Sequence, residues 1–361
     1  MNTASETKRS RYMEWAKRSS GARFNLAVSG IPNVLTTEFP LRLEEIEVNG
    51  PGGYGLPALL ERIARHTGAP QDCIVTAAGT SMANHLAMAT LLSPGDEVVI
   101  EEPAYGALLD VAHYLGARVR RVARRLENDF AISLGEMEIA ITPATRLVVL
   151  TDLHNPSGAL LPRATIAAIG EMAARVGAHV LVDEVYLDLL FDQAVPSAFS
   201  LGENFVVTNS LTKTYGLSSL RCGWIIAAPE IARRMWLMND LFAATPAHPA
   251  ERLAIVAFDH LATFRARARK LLETNRPLLD SFLDSRDDLE CFRPPAGTIV
   301  FPRLTKSDPA VFFPRLRERY ETSVVPGEFF GMPRHFRLGI SQETETLRAG
   351  LERLGAALDE A

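Results

Sequence analysis

A chain of 361 residues has room for two domains, or for one large α/β unit with a smaller partner. Hydrophobic residues at 47% and charged residues at 22% are the balance of an ordinary soluble globular protein. The net charge of −5 argues against nucleic acid as the main partner, because phosphate binding takes a basic surface.

Cys73, Cys222 and Cys291 are widely separated and form no CxxC. That spacing excludes a disulfide framework and a cysteine-based zinc site, and it fits a reducing cytoplasm. Met1 to Arg11 is polar, without the apolar core of a signal peptide. The most apolar windows, Arg146 to Thr151 and His179 to Val182, are of strand length and far short of a membrane span.

The chain opens with a basic, partly helical arm, Lys8 to Arg18, and passes into an irregular stretch from Val28 to Asn33. Leu59, Leu60 and Ile63 recur at helical spacing within Leu56 to His66. A regular alternation follows: strand Cys73 to Thr76, helix Ser81 to Leu92, strand Glu97 to Glu101, helix Tyr105 to Leu115 and strand Arg118 to Val122. It continues with strand Leu147 to Thr151, helix Arg163 to Val176, and strands His179 to Asp183, Phe205 to Ser210 and Cys222 to Ala227. Apolar strands alternating with amphipathic helices predict an α/β fold, a mostly parallel mixed sheet flanked by helices. Sites in such sheets lie outside the C-terminal strand ends. After Pro229 the pattern changes to long charged helices, including one from Leu253 to Leu283, and short strands around Thr298 to Pro302 and His335 to Leu338. The expected division is an arm, residues 1–45, joining a small α+β domain at 241–361, with a large domain at 46–240 between them.

Gly50-Pro-Gly-Gly-Tyr-Gly55 matches GxGxxG, the dinucleotide fingerprint. The segment before it, Leu43 to Val48, is too acidic for a buried first strand, and a glycine-rich lead into the helix near Leu56 explains the match.

A different set stands at strand ends. Lys213 follows the strand Phe205 to Ser210, where desolvation can keep an amine neutral and able to form an imine with an aldehyde. Alone, it reads as a surface lysine. Arg221 offers a planar fork for phosphate oxygens, and Ala78-Gly79-Thr80, between a strand and a helix, can cradle the same group with backbone N–H. Taken singly, that tripeptide is equally a tight turn. Asp183 ends a buried strand and needs a cation, for which a pyridinium N–H would serve; a helix N-cap is the plainer reading. Asn155, in Asn155-Pro156, can donate to a cofactor oxygen or simply turn the chain, and Tyr105 can stack on a planar ring or merely pack.

Together, Gly79-Thr80, Tyr105, Asn155-Pro156, Asp183 with Tyr186, Ser210, Lys213 and Arg221 resemble the fold-type I pyridoxal 5′-phosphate (PLP) enzymes of the class I/II aminotransferase family. The resemblance runs from about Gly55 to Arg337. It implies that Lys213 carries the cofactor as a Schiff base and moves the Cα proton, and that Asp183 keeps the pyridine nitrogen protonated. It implies further that Asn155 and Tyr186 bond the ring hydroxyl oxygen, that Tyr105 stacks on the ring, and that Ala78, Gly79, Thr80, Ser210 and Arg221 hold the phosphate. Arg337, in Phe336-Arg337-Leu-Gly339, matches the arginine that clamps the substrate α-carboxylate, with Arg334 close by; Asn155 and Gly30 complete the expected substrate contacts.

The implied activity is transfer of an amino group from an L-amino acid to a 2-oxo acid in two half-reactions, by a cytoplasmic homodimer. A β- or γ-lyase or a natural-product synthase is the alternative on the same site, and a non-catalytic PLP-binding regulatory domain is a third. Two departures from the family stand out. The tyrosine that often precedes the glycine matching Gly55 is Gly50 here, with Tyr54 displaced to the adjacent position. The lysine that binds a substrate's second carboxylate beside the phosphate loop is Thr80, which tilts the reading away from aspartate as donor unless Arg23 or Arg252 serves.

Overall fold

A computed structural model describes residues 8–42, 45–193 and 195–360. The first elements are helix α1 (Arg11–Arg18), strand β1 (Phe24–Asn25) and helix α2 (Pro57–Thr67). Then come β2 (Ile74–Ala78), α3 (Gly79–Leu91), β3 (Glu97–Glu102), α4 (Gly106–Tyr114) and β4 (Arg118–Ala123). They are followed by α5 (Leu134–Ala140), β5 (Thr145–Thr151), α6 (Arg163–Arg175), β6 (His179–Asp183), β7 (Phe205–Ser210) and β8 (Cys222–Ile226). The C-terminal part holds α7 (Pro229–Asn239), α8 (His248–Asp259), α9 (Leu261–Asp284), β9 (Leu289–Glu290), β10 (Ile299–Val300) and β11 (Arg303–Leu304). It ends with α10 (Pro309–Glu318), β12 (Thr322–Ser323), β13 (Val325–Pro326), β14 (Phe336–Gly339) and α11 (Thr344–Asp359).

Seven strands form one mixed sheet in the order β2-β8-β7-β6-β5-β3-β4, in which β8 alone runs against its neighbours. The central strands are apolar on both faces because helices cover both: Leu147, Val148, Val149 and Leu150 of β5 are fully buried. Each such side chain contributes roughly 1.5–3 kcal/mol relative to an exposed position. One face packs on Ile166, Ile169 and Ala173 of α6 with Ala254, Ile255 and Ala257 of α8, the other on α3, α4 and α7.

A further core gathers Leu272, Leu279 and Leu283 of α9, Leu347, Leu351 and Leu354 of α11, and Leu26 and Ile31 from the amino-terminal arm. The arm is held there by a parallel bridge of β1 to β12, Phe24 opposite Thr322 and Asn25 opposite Ser323. That pairing joins chain segments far apart in sequence, and no local pattern announces it.

Two expectations need adjustment, and a third holds. The single helix from Leu253 to Leu283 is two, α8 and α9, broken at His260 with φ −123° and ψ 14°. The apolar stripe of α8 faces the seven-stranded sheet whereas that of α9, beyond Phe264, faces the second core, so the chain must change direction between them. Helix α3 begins at Gly79, which puts Thr80 in its first turn. The glycine-rich run leads into α2, but Glu251 Oε1 accepts the Leu56 N–H (3.3 Å) there, so a carboxylate stands where a dinucleotide phosphate would sit. Leu43 and Glu44 of the preceding acidic segment lie outside the described residues, as do residues 1–7. No helix among the described residues is long and apolar enough to cross a membrane.

Candidate active site

The parallel strands β5, β6 and β7 end side by side at Thr151, Asp183 and Ser210, and a cavity of about 630 Å³ opens above them. Its wall includes Thr80, Tyr105, Asn155, Asp183, Tyr186, Lys213, Arg221 and Arg337 from the sequence set. Ser210 lies just behind, with its Oγ accepting from Thr80 Oγ1 at 2.7 Å. Gly30 is not part of the wall. A Cβ placed on it would stand 3.4 Å from Lys213 Cδ, so Gly30 backs the lysine stem while its neighbours Val28 and Ser29 face the cavity.

Lys213 follows the buried β7 by three residues and is half-buried, its Nζ donating to Ser29 Oγ at 3.0 Å. Burial holds the amine below the ordinary lysine value, and the charges of Arg337 and Arg221 push the same way while Asp183 opposes them. Burial thus favours the neutral amine, the form with a lone pair to present.

Asp183 is 5% exposed. Its Oδ2 accepts from Asn84 Nδ2 (2.7 Å) and its Oδ1 from the Val185 N–H (3.1 Å). Burial nevertheless raises its carboxyl to about 6, with those hydrogen bonds and Lys213 only partly offsetting it. A carboxylate so placed gains from one more cationic N–H.

At one end of the cavity Gly79 takes φ +78°, and a Cβ there would lie 2.2 Å from Arg221 Nη2. Only glycine lets the arginine fork lie across the first turn of α3. Arg221 is itself left-handed at φ +51°, exposed, and bonded to the Ala78 and Ser218 carbonyls at 2.9 Å each. Fork, helix N-terminus and the Thr80 hydroxyl make an anion site.

At the other end Arg337 is 1% exposed. Its Nη1 donates to Asn155 Oδ1 (3.0 Å), and its Nη2 to Tyr12 OH (3.0 Å) and the Ala27 carbonyl (3.0 Å). Its Nε and the Tyr186 hydroxyl are buried without a hydrogen-bond partner. Such orphaned donors beside a cavity are satisfied by a ligand. Arg334 turns away to the Leu304 and Thr305 carbonyls, Arg23 meets Glu321, Arg252 meets Glu47, and none of the three lines the cavity. Tyr54 lies on the surface and donates to Asp240 Oδ2 (3.1 Å).

Several wall residues escaped the sequence reading. Tyr12, Met13, Trp15 and Lys17 come from α1, whose Tyr12 ring meets Tyr105 edge-on at 5.6 Å. Asn84 was within reach of sequence reasoning, because it stands four residues after Thr80 and shares its helix face. Ser29 adjoins Gly30. Nothing in the sequence around Tyr12 signals a contact with Arg337.

The residues fit PLP on these observations. Gly79 and Arg221 leave room for a phosphate at a helix N-terminus, buried Asp183 wants a cationic ring nitrogen, and the unpaired Tyr186 hydroxyl has a ring oxygen to meet.

Comparison with known proteins agrees. An arginine–pyruvate transaminase of Pseudomonas aeruginosa is 33% identical over 313 residues, covering 83% of this chain and 80% of the relative. A capreomycidine synthase of Streptomyces vinaceus is 32% identical over 298 residues, covering 82% and 77%. The crystal structure of a PLP-dependent aminotransferase from Streptococcus suis superposes with a TM-score of 0.90 at 26% identity, over 97% of this chain and 98% of that one. The model of the family aminotransferase class I and II matches residues 37–354, and the chain belongs to that family, transferases whose cofactor is pyridoxal 5′-phosphate.

Proposed function

We propose that this aminotransferase works through Lys213, Asp183 and Arg337, which face one cavity from three different parts of the chain. The observation that carries the reading is the Lys213 amine, depressed by burial, sharing that cavity with a buried carboxylate and a buried guanidinium. Arg337 clamps the α-carboxylate of an L-amino acid and sets its Cα–H toward the lysine. Lys213, as the neutral amine, would take the Cα proton and, as the ammonium, give it up again. Asp183 would hold a proton on the ring nitrogen, Asn155 and Tyr186 would hold the ring hydroxyl oxygen, Tyr105 would pack on the ring, and Gly79, Thr80, Ser210 and Arg221 would hold the phosphate. When bound, PLP supplies the electron sink for charge left on Cα.

Lys213→Ala tests the assignment. Production of 2-oxo acid from any amino donor should fall by a factor on the order of 10⁴, and turnover near the wild-type rate would overturn it. The donor is found by mixing the PLP-loaded protein with single amino acids and no acceptor. One equivalent of 2-oxo acid without ammonia marks transamination.

The likeness to a capreomycidine synthase favours a second reading, a PLP-dependent synthase reaction on the amino acid. In that case the amino group stays on the product and no 2-oxo acid appears.

We also propose a homodimer in a reducing cytoplasm. Tyr114, Phe242 and Leu241 are exposed side by side, with His85 touching the rings of Tyr114 and Phe242 at 6.0 and 5.3 Å, an apolar face that a second copy would cover. The three cysteines are free thiols, which supports the compartment. The division into residues 1–45, 46–240 and 241–361 is supported by the packing of Leu26 and Ile31 of the arm with α9 and α11, whereas Val34 and Phe39 of the arm, and α8, pack against the core of the sheet.

A further inference from the structure

We propose that the buried ion pair of Glu101 and Arg124 positions the Asn155 loop and, through it, the carboxylate-binding fork of Arg337. The proposal rests on Arg337 being the carboxylate clamp. Glu101 lies near the end of β3 and Arg124 just beyond β4, their side chains 1% and 0% exposed, with Arg124 Nη1 2.7 Å from Glu101 Oε2. Arg124 Nε is spent on the Phe130 carbonyl. Two charges withdrawn from water add little stability over well-packed apolar residues, so packing alone does not account for them.

The second carboxylate oxygen shows where they act. Glu101 Oε1 accepts both the Thr151 N–H (2.7 Å) and the Thr151 hydroxyl (2.6 Å) at the end of β5. Since that hydroxyl donates to Glu101, its own lone pair is turned to the Asn155 N–H, 3.1 Å away. Asn155 Oδ1 then accepts from Arg337 Nη1 at 3.0 Å. The Asn155 and Arg337 N–H groups can only donate, and the one group free to turn, the Thr151 hydroxyl, is fixed by its acceptor Glu101. A neutral amide at 101 keeps an oxygen but turns an NH₂ group against Arg124, and the directed chain loses its anchor. Burial pushes the Glu101 carboxyl up, and the Arg124 guanidinium and the Thr151 hydrogen bonds pull it back. Glu101 and Arg124 do not line the cavity, so both are positioning residues.

The test compares variants of the PLP-loaded protein by calorimetric titration with propionate, a carboxylate with no amino group to react, and by steady-state kinetics. Arg337→Ala sets the reference for loss of the clamp. Glu101→Gln and Thr151→Val should each weaken propionate about five- to tenfold and raise KM for the amino donor equally, with kcat within about twofold. Thr151→Ser, which restores the hydroxyl, should recover most of the affinity. If Glu101→Gln and Thr151→Val bind propionate as the wild type does, and only their melting temperatures fall, the pair is merely structural and the proposal is overturned. Should Glu101→Gln fail to fold, Thr151→Val decides alone. Undiminished propionate binding by Arg337→Ala removes the clamp, and the proposal with it.

Discussion

The two ends of the cavity each rest on an arginine, and the two are built in opposite ways. Arg221 is exposed, left-handed in its backbone, and held by two backbone carbonyls, Ser218 three residues before it and Ala78 at the end of β2. Arg337 is buried and held by side chains 182 and 325 residues away in sequence. The first suits a doubly charged phosphate, for which a helix N-terminus and a loosely solvated fork suffice. The second suits a single carboxylate that must be oriented as well as bound: Nη1 and Nη2 are held by protein acceptors, and Nε is buried without one. Anchoring tolerates water; orientation needs a dry, pre-set frame.

The sharpest way to break this contrast is to remove each arginine in turn. Arg337→Ala should cut kcat/KM for the amino donor about 10²–10³-fold while PLP affinity stays near wild type. Arg221→Ala should weaken PLP about 10–100-fold, and at saturating PLP should recover most of the turnover. If the two variants show the same defect, the division between anchoring and orienting ends is wrong.

Asp183 sharpens the contrast from the middle. Its carboxyl stands at about 6 in the folded protein against an ordinary 3.8, raised by burial. Without cofactor, the unfolded chain therefore loses this proton first as pH rises from about 4 to about 6, and the folded state loses stability across that window. The difference in stability between apo wild type and apo Asp183→Asn should shift against the wild type from pH 4 to pH 6 and level off above 7. With PLP bound, a ring N–H partners the carboxylate and the shift should vanish. Melting curves at several pH values, with and without PLP, check both statements, and a flat difference in the apo protein would contradict the raised value.

The smallest effect is expected from Tyr12→Phe. Arg337 Nη2 would lose the phenol oxygen and keep the Ala27 carbonyl, so KM for the donor should rise about two- to fivefold with kcat little changed. An unchanged KM would mean that α1 only packs against the site.

The same contrast explains what could be read from the chain. Gly79-Thr80, Asp183, Ser210, Lys213 and Arg221 stand at strand ends or in the turns beside them, where periodicity and turn chemistry mark the places before any fold is known. Asn84 obeys the same local rule, one helical turn beyond Thr80, and was within reach. Tyr12, Ser29 and the Glu101–Arg124 pair were not, because their partners are set by pairing between distant segments such as β1 and β12. The Glu101-Glu102 pair that ends β3 has no local pattern that points to Thr151. The break at His260 was hidden for a related reason: apolar spacing continues through it, and only the existence of two cores makes the helix change direction.

The bridge of β1 to β12 bears on how the molecule comes into being. A ribosome delivers the amino end first, and domains take shape as their residues emerge. The Lys213 and Arg221 end of the cavity is complete once β8 has been made. The other end waits for Arg337 to be translated, for β12 to capture β1, and for α1 to bring Tyr12 across. The newborn enzyme thus acquires its proposed cofactor berth well before its proposed means of recognising a substrate, and helix α1, made early, is among the last elements to find its place.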